Sequence, residues 1–526
     1  MPEFETLDFS QGWKCLDREP MRQQLEDHAL PAYLSKQRWF ASKGTSIARV
    51  ELRSRYILHG NSGNWLLSTF RVRLADGRYE DYFLPLATNW NPTSSPLPLE
   101  DSAAVIIRIR DRNQFGTLRD ALSDPAFIAE LVRSTGENMT VNASDGALRF
   151  SHTYAYFQLE EEDQQNIRGL GVEQSNSSAL IGNKMVLKAY RKLEAGIQPE
   201  LEIGRYLTDV ARYGNTPPLL GSIEHFDAQG QPTALAIIQA FIANQGDAWS
   251  FTLAHLKRIF TAILQDGADM VDNGNHLAHA EQLGLRVAEL HRAFASESDD
   301  PAFQPELVTE SDVDGWKHQI QTEAETTFGL LANSESMLAP EQRVRVQKLL
   351  ALRDHIMKLI KGFELRLEAG ISKTRFHGDL HLGQVLVADR DFYIIDFEGE
   401  PARHFAQRRA KHSPLRDVAG MLRSLNYAAW SALFDAAEGK ADRITLLHKA
   451  ARDWEVEASR SFMHGYRQTI RGCSSCPEDP DTFARLLDLF ILEKALYEIR
   501  YELANRPSWL RIPVEGILTL LAERSA

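Results

Sequence analysis

The rhythm of apolar and polar positions changes near residue 246. Before it, short alternating runs recur: RYILHG (Arg55–Gly60), NWLLSTFRVRL (Asn64–Leu74), AVIIRIR (Ala104–Arg110) and ALRFSHTYAYF (Ala147–Phe157). A period of two predicts half-buried strands. A helix is expected around Met21 to Ser42. VEQSNSSALIGNKMVLKAYRKL (Val172–Leu193) reads as strand, polar turn, strand. After residue 246 the period lengthens to that of helices. Gln282–Ala295 is one amphipathic helix, and Arg343–Gly370 is a second, long enough for a helical arm or half of a hairpin. One β-rich piece interrupts them: VLVADRDFYIIDFEGEP (Val385–Pro401) has two apolar runs flanking ADRD, a hairpin pattern. The Pro- and Ser-rich stretch Asn89–Glu100 is a linker candidate. A β-rich first half, a helical second half and one embedded hairpin predict a two-lobed α+β protein.

A chain of 526 residues is too long for a single ordinary core, so two or three units are expected. The net charge of −13 argues against a nucleic-acid partner. No apolar run is long enough to span a membrane, and MPEFETLDFS lacks the basic and apolar regions of a signal peptide. With three cysteines, a cytoplasmic location is expected. Cys473 and Cys476 form a CSSC with only Cys15 left over, far too little for a four-ligand zinc site, and SSCPEDPDTF reads as a polar loop.

The chemistry concentrates in FHGDLHLGQVLVADRDFYIIDFEGEP, Phe376–Pro401. Phosphoryl transfer needs a carboxylate to orient the attacking hydroxyl, and oxygen ligands for Mg²⁺ on the nucleotide phosphates. Kinases of the protein-kinase-like fold place an Asp in a loop, an amide side chain five positions on, and a metal-binding Asp after a short hairpin. Here Asp379, Gln384 and Asp396 hold those places. Asp379 is expected to take the proton of the acceptor hydroxyl. Asp396 and Gln384 are expected to hold Mg²⁺, with Glu398 as a further carboxylate. Gln384 departs from the more usual Asn by one methylene.

ATP also needs a phosphate cover and a lysine. The polar run Ser175, Asn176, Ser177 and Ser178 is the candidate cover, through backbone N–H and hydroxyl groups. Lys188 in MVLKAY is the candidate phosphate-contacting lysine. Glu202, in the helix after Pro199, is its expected ion-pair partner, with Glu200 as the fallback. Ile237–Ile242 suits a hinge against which adenine lies. Asp417, at the start of SPLRDVAGMLRSL, can cap N–H groups and brace the catalytic loop from behind.

With these residues in view, the chain resembles the bacterial maltokinases, relatives of the aminoglycoside phosphotransferases. The likeness is carried by LPAYLSKQRWFASKG, VEQSNSSALIGNKMVLKAYRKLEAG, HGDLHLGQVL with IIDFEGEPAR, SPLRDVAGMLRSLNYAA and EKALYEIRYELANRPSWLRIPV. It implies a bilobal protein-kinase-like fold. Residues 1–90 would form an N-terminal cap, 91–245 an intermediate subdomain completing a β-rich N-lobe, and 246–526 an all-helical C-lobe carrying the catalytic hairpin. It implies ATP and Mg²⁺ as cofactors, and maltose as the sugar, phosphorylated at its anomeric hydroxyl to feed α-glucan (glycogen-like) synthesis. Association with a trehalose synthase is part of the same implication. Carried over onto this sequence, the sugar contacts are Lys494, Tyr497, Glu498 and Tyr501, with Asp379. Their spacing puts them on one helix face, where charged groups hydrogen-bond to hydroxyls and rings stack on the sugar. Two other readings stay open: a kinase of glucosamine or an aminoglycoside, for which extra carboxylates near the pocket are the discriminating feature, and a non-catalytic nucleotide- or glycan-binding module.

Overall fold

The computed structural model describes residues 6–90, 103–143, 146–171, 175–266, 274–365, 370–400 and 403–525. Most of the proposed linker, and Val172–Gln174 of the phosphate segment, lie outside these. The chain divides into two compact units, one of residues 1–212 and 217–243, the other of 213–216 and 244–526.

In the first unit, an eight-stranded sheet runs in spatial order Thr6–Asp8, Val105–Asp111, Gln114–Asp120, Leu86–Trp90, Gly63–Leu74, Tyr79–Phe83 and Lys192–Leu193, with Ile47–Gly60 also paired to Gly63–Leu74. The sheet therefore runs across the expected boundary at residue 90, because the strands at 105–120 add to its edge rather than starting a new layer. The strand Gly63–Leu74 shows why its apolar run is nearly continuous. Trp65 and Leu67 face a core shared with Phe127, Leu187 and Ile238. Leu66, Phe70 and Val72 face another, with Tyr82, Phe40 and Leu30. Alternate residues feed two cores, so both faces are buried.

The second sheet has seven strands in the order Ile167–Gly169, Asn176–Ile181, Met185–Tyr190, Pro232–Ala240, Leu219–Asp227, Gly146–His152 and Thr140–Ala143. Met185–Tyr190 lies between two antiparallel neighbours, with Lys188 opposite Ser178 and Ile237. Three residues beyond Lys188, Arg191 leaves the sheet to meet Asp120 in a buried ion pair of 2.5 Å. Its guanidinium covers the Trp39 ring at 4.6 Å, and Tyr33 donates to the same carboxylate.

The second unit is helical, built on Ala248–Asp266, Gly274–Phe294, Glu310–Ser334, Leu415–Ala437, Ala441–Ile470, Pro480–Asn505 and Arg511–Ser525. The expected single helix Arg343–Gly370 is two, Pro340–Ala351 and Arg353–Lys361, breaking at Leu352. The hairpin pairs Val385–Ala388 with Asp391–Ile394. Its turn residues Asp389 and Arg390 have φ of 50° and 77°, the two positive values that a tight two-residue hairpin turn demands. Cys473 and Cys476 close a turn, with the Cys476 N–H on the Cys473 carbonyl at 3.1 Å. Both are free thiols, and burial pushes the Cys476 thiol up to about 12. Among the described residues neither joins a metal-type cluster, and no helix is long and apolar enough to cross a membrane.

Candidate active site

In the first unit, Lys188 sits in a strand interior and its ammonium meets Glu200 at 2.9 Å. The Tyr190 hydroxyl donates to the same carboxylate oxygen at 2.7 Å. Glu200 is held by its place in the helix Pro199–Arg205, whose N-cap Gln198 accepts the Glu200 N–H. Glu202, the expected partner, is corrected to Glu200. Two residues along a helix is about 200° of rotation, so 200 and 202 lie on opposite faces, and Glu200 is the buried one. Ser175–Ser178 is likewise not the turn between strands. Asn176–Ser178 open the strand Asn176–Ile181 and pair with Ala189, Tyr190 and Lys188. The turn comes later, at Gly182–Asn183, with φ of 57° and 51°. A Gly-Asn pair takes positive φ more cheaply than a Ser-rich run. The Ser177 hydroxyl accepts from Arg191 at 2.7 Å.

In the second unit, the loop carrying Asp379 is fixed from behind. Asp417, buried in the helix Leu415–Ala437, accepts the His377 N–H at 2.7 Å and the Gly378 N–H at 2.9 Å. The His377 ring reaches the Ile395 carbonyl at 2.9 Å, next to Asp396. Helix and loop touch at Gly420, where an added Cβ would fall 2.6 Å from the Leu380 carbonyl oxygen.

Asp379 faces Lys494 at 3.1 Å, and Lys494 also lies 3.9 Å from Glu400. Burial pushes the Asp379 carboxyl up, but the Lys494 ammonium and the neighbouring His381 outweigh it, and the net shift is downward. Burial works against the Lys494 charge, yet Asp379, Glu400 and Glu498 together raise its pKa. The pair is therefore ionised on both sides at neutral pH.

Gln384 follows at the end of a short 3₁₀ turn and donates its amide to Asp396 Oδ2 at 2.8 Å. Asp396 has φ of 65°, a left-handed conformation that costs energy in a non-glycine residue and clusters at functional positions. Asp396 and Glu398 bring carboxylate oxygens within 4.8 Å of each other. Two carboxylates and an amide carbonyl form a hard, all-oxygen donor set, the kind Mg²⁺ takes.

Asp379 and Lys494 line a small, partly open pocket together with Glu323, Glu400, Arg403, Arg416, Glu493 and Tyr497. Of the four helix residues expected at the sugar, Lys494 and Tyr497 are on its wall. Glu498 is corrected: it is buried against Arg423, with N–O distances of 2.9 and 2.7 Å. It lies four residues after Lys494 but turned toward the helix Leu415–Ala437. Tyr501 is 45% exposed, its ring 6.5 Å from that of Tyr497 and nearly parallel. The acids on the wall include instead Glu400, which pairs with Arg403 at 2.5 Å, and Glu493, which meets Arg416 and accepts from Gln319 at 3.1 Å. Burial raises the Glu493 pKa, Arg416 opposes it, and Glu323 adds to it. The second Glu of FEGEP and the Glu before Lys494 were the available signals for these two.

Residues 33–124 match the family model of the maltokinase N-terminal cap domain. A glucosamine kinase from Streptacidiphilus jiangxiensis is 27% identical over 358 residues, 68% of this chain and 74% of that protein. One from Mycolicibacterium smegmatis is 26% identical over 366 residues, 68% of this chain and 80% of that protein. A solved glucosamine kinase in complex with glucosamine, ADP and inorganic phosphate superposes with a TM-score of 0.64 at 20% identity, covering 95% of this chain and 99% of that one. The chain has a bilobal kinase fold behind a maltokinase-type cap. The cap match ends at Asp124, the N-cap of the helix Pro125–Gly136. The eight-stranded sheet's strand Gln114–Asp120 ends just before it. The cap match thus ends some thirty residues past the boundary expected from the linker composition, while the sheet takes one later strand, Lys192–Leu193.

Proposed function

We propose that the protein is an ATP-dependent sugar kinase that phosphorylates the anomeric hydroxyl of maltose. The observation that carries the reading is the Asp379–Lys494 pair, 3.1 Å apart on the wall of a pocket, in a loop clamped by Asp417. The curated relatives, which are glucosamine kinases, support the class.

The roles follow from the residues. Asp379 accepts a hydrogen bond from the acceptor hydroxyl and takes its proton as the oxygen–phosphorus bond forms and the bond from the γ-phosphorus to the ADP oxygen breaks. Lys494 keeps Asp379 a carboxylate until then. Lys188, set by Glu200, is the phosphate-contacting cation of the first unit. Asp396, Gln384 and Glu398 would hold Mg²⁺, which when bound neutralises charge on the phosphates.

Tyr497 on the pocket wall and the exposed, nearly parallel Tyr501 beyond it offer two successive rings. Two rings in line suit two sugar units better than one, which favours the disaccharide. A second reading, glucosamine, is favoured by Glu323, Glu400 and Glu493 on the same wall, since acids suit an ammonium-bearing sugar. The test is phosphate transfer from ATP·Mg²⁺ to maltose, glucosamine, glucose, trehalose and an aminoglycoside, with the product position read by phosphorus NMR. A phosphoacetal formed from maltose alone supports the first reading. Transfer to glucosamine moves the protein to the second, and ATP binding without turnover on any sugar overturns both. Supply of an α-glucan pathway, a cytoplasmic location and association with a trehalose synthase belong to the maltose reading and stand with it.

A further inference from the structure

We infer that Tyr466, remote from the pocket, is a positioning residue for phosphoryl transfer, acting through His291 and Asp417 on the backbone of the catalytic loop. The inference rests on the kinase reading above. Its basis is one unbroken hydrogen-bonded chain inside the second unit. The Tyr466 hydroxyl lies 2.9 Å from His291 Nδ1, and His291 Nε2 lies 3.2 Å from Asp417 Oδ2. Asp417 in turn receives the N–H groups of His377 and Gly378, immediately before Asp379. Tyr466 and His291 are completely buried and Asp417 nearly so, so water does not substitute for any member.

The direction of each bond is forced by donor capacity. An ionised carboxylate only accepts. A proton must therefore lie on Nε2; in the neutral ring Nδ1 is then an acceptor, and Tyr466 is the donor that satisfies it. Burial holds the Tyr466 pKa well above its ordinary value, so the hydroxyl keeps its proton. The tyrosine thus selects the imidazole tautomer that points N–H at Asp417. With the other tautomer, a lone pair would face the carboxylate, and the clamp on the loop would loosen.

The sequence builds this contact with two glycines. The helices Gly274–Phe294 and Ala441–Ile470 meet where Gly284 and Gly465 leave the backbones bare. A Cβ on Gly284 would lie 2.0 Å from the Phe462 carbonyl oxygen, and one on Gly465 would lie 2.0 Å from that of Glu281. Only at that separation does Tyr466, next to Gly465, reach His291, seven residues and two turns beyond Gly284.

The test uses the full chain and Tyr466→Phe, which keeps the ring and removes only the donor. In wild-type protein, ¹⁵N spectroscopy of labelled histidine, assigned by the signal lost in His291→Gln, is expected to place the His291 proton on Nε2. In Tyr466→Phe the signal should move toward a tautomer mixture. Turnover should fall about tenfold, the rate equivalent of one buried acceptor losing its donor, with KM for ATP and sugar within about twofold, because neither substrate is touched. A wild-type proton on Nδ1 overturns the inference whatever the variant does. An active wild type whose Tyr466→Phe variant keeps full turnover and an unmoved tautomer overturns it alone. A wild type with no sugar-dependent ATP turnover overturns the kinase reading, and the positioning role with it.

Discussion

Lys188–Glu200 and Lys494–Asp379 are lysine–carboxylate pairs of nearly equal length, 2.9 and 3.1 Å. In the first, the Lys188 and Glu200 side chains are 11% and 2% exposed; in the second, Lys494 and Asp379 are 20% and 24% exposed. The first joins a strand of the seven-stranded sheet to the helix Pro199–Arg205 and shares its carboxylate with Tyr190. The second lines a pocket wall among four further acids and two arginines. Length therefore says little about role. A buried pair fixes a position, because removing either partner strands a charge in a poorly polarisable interior. A pair at a pocket edge keeps faces free for a substrate, and its charge state is set by the groups around it.

Breaking the second pair at its carboxylate should have the largest effect. In Asp379→Asn the amide keeps the shape but cannot take a proton. Turnover should fall by about 10²–10⁴-fold, with ATP binding, measured by calorimetry, retained. Near-normal turnover would remove Asp379 from the reaction.

Breaking the first pair should read out as stability. Glu200→Gln replaces the carboxylate that Lys188 and the Tyr190 hydroxyl share with a neutral amide, removing the charge that faces the buried ammonium, and should cost about 3 kcal/mol in denaturant unfolding and raise KM for ATP. Glu202→Gln, on the other face of the helix, should cost less. Equal losses in the two variants would show that the helix, not the pair, places the lysine.

That contrast also marks what was legible in the sequence. Asp379, Gln384 and Asp396 are tied by chain distance across one loop and one hairpin, so spacing alone located them, and Gln384 does meet Asp396. Lys188 was legible as a strand residue. Its partner was not, because choosing between Glu200 and Glu202 requires the helix phase, which Pro199 at its first turn sets. The Ser175–Ser178 run looked like a turn by composition, but the Gly182–Asn183 pair accommodates the positive φ. Glu498 shares a helix face with Lys494, yet Arg423, 75 positions away, claims it. The pocket acids Glu323, Glu400 and Glu493 come from separate elements, and no local pattern brings them together. The sheet likewise crossed residue 90 because strand pairing does not follow composition.

A smaller change should sharpen the electrostatic half of the comparison. Lys494 is the main group pulling the Asp379 pKa below its ordinary value, against burial. With the pKa lowered, the carboxylate form, and hence the base, persists well into acid. In Lys494→Met, burial acts without its principal counterweight, so the folded-state pKa rises. The acid limb of the turnover profile should move upward. Folding stability that depends on this depressed carboxyl, present above its unfolded pKa and lost as pH falls through the folded one, should shrink in the same window. An unmoved acid limb would mean that another group limits turnover in acid.

The smallest effect concerns which sugar the pocket serves. Tyr497 is on the wall, and Tyr501 stands beyond it, 45% exposed and 6.5 Å away ring to ring. If the acceptor has two sugar units, the ring at 497 carries the unit nearest Asp379 and the ring at 501 the second. Tyr501→Ala then removes one stacking contact of about 1 kcal/mol, raising KM for maltose about fivefold and leaving KM for a monosaccharide unchanged. The side chain is exposed, so the fold is not at stake, and the Arg506 guanidinium over its ring, at 5.4 Å, is still held by Glu502 at 2.8 Å and by the Trp509 ring at 4.5 Å. An equal change for both sugars would mean that Tyr501 shapes the helix rather than the acceptor. No change for either, with glucosamine the better substrate throughout, would place recognition with Glu323, Glu400 and Glu493 instead, because an ammonium group reads carboxylates and has no use for a second ring.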